Sequence, residues 1–284
     1  MQENNKGTLY VVGTPIGNLS DITYRAVETL KSVDVVLAED TRNTLKLLTH
    51  FDIKKTLISY EKHSENKKLE QVISLLDDGK NVALVSDAGM PVISDPGQNL
   101  VKILREKNYK IEIIPGVTAL ITGIVGSAKD ASRFTFEGFL SVSKKQRIEH
   151  LKSLKNETRT MIFYEAPHKI LYTLKDLYDI IGNRNITICR ELTKLHEEFR
   201  ITTIKEAIED IEKNSIKGEI VLVVEGKNEQ ELKNEELEKL NEISNVDLVK
   251  EYINLGMDKK DAIKKVAKDK KLNKNEVYKE CLDL

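Results

Sequence analysis

Cysteine is nearly absent: Cys189 and Cys281 are the only two in 284 residues, one inside an apolar strand-like run and the other near the C-terminus. No disulfide framework and no thiolate metal site can be built from them. A surplus of either charge is missing as well, since 45 Lys and Arg stand against 46 Asp and Glu for a formal net charge of -1. That excludes a protein that holds nucleic acid by bulk charge, though not one with a local basic patch. No apolar run reaches the roughly eighteen residues of a membrane span, and the opening MQENNKGT has neither the basic nor the apolar segment of a signal peptide. The expectation is a cytoplasmic protein with no membrane partner. Phosphate-loop signatures are lacking too: the turn TPIGN after the first apolar run is followed by no Gly-Lys-Ser and lacks the Gly-x-Gly-x-x-Gly spacing. His50, His150, His168 and His196 form no pair with metal-ligand spacing and read as surface or helix-end residues, so no metal is expected.

What is present is ample core material, 40% hydrophobic residues, in a chain longer than a usual single domain. TLYVVG at 8–13 reads as a buried strand and residues 21–31 as a helix with Ile22, Ala26, Val27 and Leu30 on one face. VDVVLAED, TLISY at 56–60, the run at 81–86 and IEIIP at 111–115 add four strands, with helices over 44–51, over SENKKLEQVISLLDDG up to Gly79, and over QNLVKILREK. Strand alternating with helix implies a mostly parallel sheet that is full by about residue 115. PGVTALITGIVGSA is a small-residue helix, after which the pattern restarts: RFTFEGFL, TRTMIFYEAP, ITICREL, FRITT and GEIVLVVEG as strands, SKKQRIEHLKSLKN, HKILYTLKDLYDIIG and KEAIEDIEK as helices. ITICREL and FRITT flank only the short KLHEE, which suggests an antiparallel pair and hence a mixed second sheet. The fold class expected is α/β, with an N-terminal α/β domain over 1–117, a C-terminal α/β domain over 118–228 and a small all-α unit over 229–284.

In that last unit the sequence turns acidic and then strongly basic. Ala262, Ile263, Val266 and Ala267 form one face of a short helix, and Val277, Cys281 and Leu282 the matching face of the next. Lysines 259, 260, 264, 265, 268, 270, 271 and 274 surround them, which reads either as a nucleic-acid docking unit or as a solvated helical hairpin. Lys144, Lys145 and Arg147 form a second basic candidate patch.

The stretch that organises the first half is SDAGMPVISDPG, residues 86–97. A long loop rich in Gly, Pro, Ser and Asp between a buried strand and a helix is suited to holding a polar ligand. Asp87 can accept from a ligand's hydroxyl or ammonium groups, Ala88 and Gly89 let backbone approach closely, and Ser94 or Asp95 can cap the next helix with Pro96 in its first turn. At the end of the second strand, Glu39, Asp40, Thr41 and Arg42 form a polar cluster where open α/β sheets bind ligands. The same residues serve equally as a helix cap, with Asp40 or Thr41 capping and Arg42 in solvent.

Taken together, GTPIGNLSDITYRAVETL, AEDTRNT, VSDAGMPVISDPG, PGVTAL, FEGFL, MIFYEAPHKI, CRELTK and KGEIVLVVEG resemble, in order and spacing, the bacterial 16S ribosomal RNA ribose 2'-O-methyltransferases of the tetrapyrrole methylase superfamily. The resemblance runs from about residue 7 to the end. It implies an S-adenosylmethionine-dependent homodimer of two α/β domains, the cofactor folded between them, acting on 16S rRNA of the small ribosomal subunit. By resemblance Pro15, Asp87, Ala88, Gly89, Met90, Ile93, Thr118 and Ala119 contact the cofactor from the first domain, and Tyr164, Leu192 and Gly218 hold its adenine side from the second. Where the family commonly writes His-x-His-Asn after the third strand, this chain has Glu61, Lys62, His63 and Ser64, so only the second histidine is kept.

The implied reaction moves a sulfonium methyl to the 2'-hydroxyl of a cytidine, which needs in-line positioning and an acceptor for the hydroxyl proton. Asp40, Glu39 and His63 are the candidate acceptors, and Arg42 could hold a phosphate or orient a carboxylate. Two alternatives stand beside this reading: a small-molecule methylase acting on a tetrapyrrole or corrin precursor, and a noncatalytic RNA-binding protein.

Overall fold

The computed structural model describes residues 6–61, 65–282 and 284, with the side chains of 65–67 and 236 left aside. One compact unit comprises Met1–Leu154 and Arg159–Glu225; a second comprises Lys155–Thr158 and Gly226–Leu284.

The first unit holds two five-stranded sheets. In the first, β1 (Leu9–Val12), β2 (Val35–Ala38), β3 (Thr56–Ser59), β4 (Val82–Val85) and β5 (Ile111–Ile114) are all parallel, in the order β3-β2-β4-β1-β5. β2 and β4 are buried at every position, as strands covered on both faces must be. Helices α1 (Tyr24–Ser32), α2 (Thr41–His50), α3 (Glu65–Asp77) and α4 (Gln98–Glu106) make the crossovers. One face packs Leu9, Leu37, Leu76, Leu84, Leu100 and Leu104; the other packs Val12, Ala26, Leu30, Val36, Leu48 and Val85. Because the chain leaves β1 toward β2 on one side and finishes with β5 on the other, the carboxyl ends of β1 and β4 lie where the winding direction changes. That is where sheets of this kind bind ligands.

α5 (Ala119–Gly126) follows β5 but packs on the second sheet, against β7 and β10. That sheet runs β6 (Phe134–Phe139), β7 (Thr160–Glu165), β10 (Ile220–Val224), β8 (Asn185–Arg190) and β9 (Glu198–Thr203) in spatial order. Only β6 and β7 are parallel, so it is mixed, as expected. Its outer face is covered by α6 (Lys144–Ser153), α7 (Ile170–Ile181) and α8 (Ile204–Lys213), around Phe163, Leu151, Leu174 and Leu222. Its inner face receives α5 and Ile16 from the first half of the chain, around Ile162, Cys189, Val221 and Val223.

The second unit has four helices among its described residues rather than the two short ones expected: α9 (Glu229–Glu242), α10 (Asn245–Asn254), α11 (Lys259–Asp269) and α12 (Lys274–Glu280). Its core joins Leu248 and Val249 to Ala262, Ile263, Val266, Ala267, Val277 and Cys281. Leu282, expected on that face, is exposed instead, since α12 ends at Glu280 and the chain turns out of the packed face. Arg147 is also not available as a surface cation: its Nε donates to Asp176 Oδ2 at 2.6 Å and its Nη1 to the Ser141 carbonyl at 3.0 Å. Lys144 and Lys145 remain exposed.

Candidate active site

The turns after β1 and β4 are stitched together by their backbones. Thr14 N–H donates to the Gly89 carbonyl at 2.9 Å, Gly89 N–H returns to the Thr14 carbonyl at 3.1 Å, and Thr14 Oγ1 donates to the Ser86 carbonyl at 3.2 Å. Gly89 takes φ 81°, a left-handed conformation that suits glycine. Beneath this clasp, a Cβ on Gly13 would stand 2.8 Å from the Gly116 backbone and 2.7 Å from Met90 Sδ. Two backbones therefore touch there, and neither can yield. Gly13→Ala is expected to destabilise the protein by about 1–3 kcal/mol, read as a lower urea midpoint at unchanged slope. An unchanged midpoint would refute the close approach.

Asp87 ties the β4 turn to the β2 turn. Its Oδ1 accepts from Asp40 N–H and its Oδ2 from Asn43 Nδ2, both at 3.1 Å. Asp40 does what a helix cap does, accepting from Arg42 N–H at 2.8 Å, and it also takes the Arg42 guanidinium through Nη2 at 2.6 Å and Nε at 3.0 Å. These bonds to Arg42 hold the Asp40 carboxyl down at about 2. A carboxylate so acidic and so fully engaged is a poor proton acceptor. His63 lies outside the described residues. On the other side of the loop the expected cap is not found: Ser94 takes φ 71°, and Gly97 at φ 118° stands at the N-cap of α4 with no side-chain cap bond. Freed from capping, Asp95 faces into the site.

These turns form one wall of a 420 Å³ cavity. That wall carries Ile16, Glu39, Asp87, Ala88, Gly89, Met90, Ile93, Ser94, Asp95, Thr118 and Ala119. The second sheet supplies Phe139, Tyr164, Glu165, Ala166, Pro167, Leu192, Glu219, Ile220 and Val221. Of the residues singled out for the cofactor, nine line this space; Pro15 and Gly218 do not. Ile16 lines the cavity where its neighbour Pro15 does not. Gly218, at φ 91°, stands behind the wall, where a Cβ would come within 2.5 Å of Glu191 Cγ. Glu191 itself accepts from Glu219 N–H at 2.8 Å and Lys194 Nζ at 3.0 Å. Tyr164 joins the two halves, its hydroxyl accepting from Leu120 N–H at 3.1 Å next to Thr118, the N-cap of α5. Asp40 and Arg42 are absent from the lining.

The charge of the lining is one-sided. Glu39, Asp87, Asp95, Glu165 and Glu219 line it, and no Lys, Arg or His does among the described residues. Glu165 is internally satisfied, accepting from Thr173 Oγ1 at 2.5 Å and Ala166 N–H at 2.8 Å. Burial pushes the Asp95 carboxyl up to about 7, and the neighbouring charges of Glu39 and Asp87 push the same way against a hydrogen bond from Ser86. Glu39 is raised as well, by burial and then by Asp87. A compact apolar cavity with several carboxylates and no cation suits a ligand that brings positive charge and a flat apolar body. Sequence reasoning missed Asp95, Glu165 and Glu219. The rule that ligands lie beyond strand ends reaches Glu165, the last residue of β7, while Asp95 escapes it because Asp-Pro-Gly before a helix looks like a cap.

Residues 8–208 match the profile of the family described as Tetrapyrrole (Corrin/Porphyrin) Methylases. A Halalkalibacterium halodurans protein named ribosomal RNA small subunit methyltransferase I is 46% identical over 277 residues, 98% of this chain and 95% of its own length. A Thermotoga maritima protein of the same name is 49% identical over 221 residues, 78% of this chain and 99% of its own. Among solved structures, a cobalt precorrin-4 methyltransferase superposes with a TM-score of 0.61 at 18% identity, covering 79% of this chain and 97% of its own. A Thermus thermophilus uroporphyrin-III C-methyltransferase complexed with S-adenyl homocysteine gives 0.57 at 19% identity, covering 77% and 97%.

Proposed function

Since the chain belongs to the tetrapyrrole methylase family, and within it to the ribosomal RNA small subunit methyltransferases I, we propose that it transfers a methyl group from S-adenosylmethionine to the 2'-hydroxyl of a cytidine ribose in the decoding centre of 16S rRNA. The identity of 46% along 277 residues to a relative bearing that name carries this reading. The lining fits the cofactor, because a sulfonium and an ammonium bring the positive charge that Glu39, Asp87 and Asp95 lack around them, and Ile16, Met90, Leu192 and Val221 offer apolar walls for the adenine. Bound there, S-adenosylmethionine supplies a methyl already activated by its positive sulphur. The residues' part is to hold the cofactor, exclude water and take up the hydroxyl proton.

A tetrapyrrole methylase would share this cavity, and a noncatalytic RNA binder would have no use for it. Labelled methyl transfer distinguishes them: label is expected in small ribosomal subunits that lack the modification, and not in uroporphyrinogen. Label in tetrapyrrole alone, or in nothing, would remove the proposal. A cytoplasmic setting and a homodimer belong to the same reading, the second checked by sedimentation. No helix among the described residues is long and apolar enough to cross a membrane.

The helical unit is assigned to RNA docking. Lys264 is engaged by Asp261 at 2.8 Å, Lys265 by Asp269 at 3.1 Å, and Lys270 is buried with its ammonium on the Ile243 carbonyl. Lys260, Lys268, Lys271 and Lys274 have no such partner among the described residues and supply the free positive charge. Replacing these four with alanine is expected to weaken subunit binding and to make its salt dependence shallower by about 0.7 per lost phosphate contact, with cofactor binding unchanged. An unaltered salt slope would dismiss the assignment. The Thermotoga relative is matched over 99% of its length by 221 residues of this chain, so a protein can carry that name without a counterpart for the rest. Docking, rather than chemistry, is the role that leaves open.

A further inference from the structure

The cavity contains a carboxyl group that neither capping nor ion pairing explains. Asp40, outside the lining, is locked to Arg42 and to the first turn of α2; within the lining Asp87 is spent on Asp40 N–H and Asn43, Glu165 on Thr173 and Ala166, and Glu219 is paired with Lys194 Nζ at 3.1 Å, which leaves Asp95 and its neighbour Glu39. Asp95 has no cationic partner among the described residues that line the cavity. The loop that presents it is held in conformations L-residues rarely adopt: Val92 at φ 79°, Ser94 at φ 71° and Gly97 at φ 118°. A β-branched valine there is costly, and such strain persists only where surrounding structure fixes it. The fixing contact is visible: a Cβ on Gly97 would meet Leu84 Cδ2 at 2.5 Å, so the loop is pressed against the end of β4. A strained, pinned loop thus holds a carboxylate without a counter-charge in the cavity wall.

We propose that Asp95 is the catalytic base, accepting the proton of the substrate hydroxyl as the methyl is transferred. The assignment rests on the methyltransferase reading above and deepens it. The step breaks the substrate O–H bond and the methyl C–S bond, and forms the O–CH3 bond. The C–S electron pair stays on sulphur, which becomes a neutral thioether, and the proton passes to a carboxylate oxygen of Asp95. An ordinary carboxylate is a weak base toward a ribose hydroxyl, and proton transfer improves as the acceptor approaches the working pH. The surroundings of Asp95 move it that way: burial, with Glu39 at the end of β2 and Asp87 after β4 as like charges, opposed by Ser86. Tyr164 on β7 faces it too, its phenol raised first by burial and in smaller part by the Asp95 charge. Glu39 is the supporting group, since its charge keeps Asp95 basic.

The experiment pairs Asp95→Asn with Glu39→Gln in the full chain. Asp95→Asn is expected to cut kcat on small subunits by about 100- to 10,000-fold, while S-adenosylmethionine still binds by calorimetry within about tenfold of wild type. Glu39→Gln is expected to shift the acid limb of the kcat/KM profile to lower pH, with a loss of kcat smaller than that of Asp95→Asn. Carboxyl 13C titration of the cofactor-free protein reads the same group without turnover, and should show one aspartate near neutrality that is missing in Asp95→Asn. Near wild-type kcat in Asp95→Asn, or loss of cofactor binding by the same factor as kcat, would overturn the assignment. So would the absence of a near-neutral aspartate, which is decisive even if Asp95→Asn fails to fold. Failure of the wild type to label subunits would take the parent reading with it, and is distinguishable because it is seen before any variant is compared.

Discussion

Asp87→Ala is expected to weaken S-adenosylmethionine binding by about 10- to 100-fold while the protein still unfolds in one cooperative step. A unit negative charge about 6 Å from a cation is worth roughly 2–3 kcal/mol at the effective dielectric of a partly wet site, and that sets the scale. The cost to folding is smaller. Asp40 N–H and Asn43 Nδ2 donate to the Asp87 carboxylate in an exposed setting, where water replaces the lost acceptor. Asp87→Asn separates charge from geometry: its amide oxygen can still accept from Asp40 N–H, but the charge is gone. If Asp87 faces the methionyl ammonium, both substitutions lower affinity for S-adenosylmethionine and for S-adenosylhomocysteine alike, because both carry that ammonium. If it holds the ribose hydroxyls, Asp87→Asn keeps most of the affinity and Asp87→Ala does not. Calorimetry with the two ligands decides between them, and an unchanged Kd in Asp87→Ala would remove Asp87 from the cofactor site.

The strands that carry these residues are legible in the sequence because their signal is one-dimensional. VVLA, VALV and IVLVV are apolar at every position and buried at every position, and strand-helix alternation predicts the parallel order of the first half. The short KLHEE link likewise foretells the antiparallel β8–β9 pair. What escapes the sequence depends on backbone signs and on encounters across the chain. Nothing local announces that Ser94 is left-handed and Gly97 is the true N-cap, so Asp95 reads as a cap rather than as a cavity carboxyl. Asp40 shows the opposite case. Its position before a helix predicts capping correctly, and the neighbour that disarms it as a base, Arg42, is in view but equally free to be read as solvated. Arg147 passes for surface charge because its partner Asp176 is on α7, a different helix.

Asp95→Asn is expected to raise stability at pH 8 and to leave it nearly unchanged near pH 4. The carboxyl is pushed from its ordinary value of 3.8 to about 7 in the folded protein, so between those values the folded state holds a proton that the unfolded state has released. Stability therefore falls as pH rises through this window and is flat above it. That displacement would set a ceiling of roughly 4 kcal/mol. Asp95 is only half-buried, and solvent screening reduces the expected gain to about 1–2 kcal/mol. Urea midpoints at pH 4 and pH 8, taken without cofactor, measure it, and an equal effect at both pH values would show that Asp95 is not perturbed. The direction is informative because an amide at this position cannot accept a proton. A carboxylate kept in an unfavourable place for its chemistry should yield a substitution that stabilises the fold while removing turnover. Cofactor binding should act in the opposite sense. A cation entering the cavity lowers the Asp95 and Glu39 carboxyls part of the way, while burial, the first cause of both shifts, still holds them above ordinary values; binding near neutral pH should therefore release a fraction of a proton, and calorimetric heats should vary with the ionisation enthalpy of the buffer. In Asp95→Asn that buffer dependence should shrink, leaving the smaller part due to Glu39.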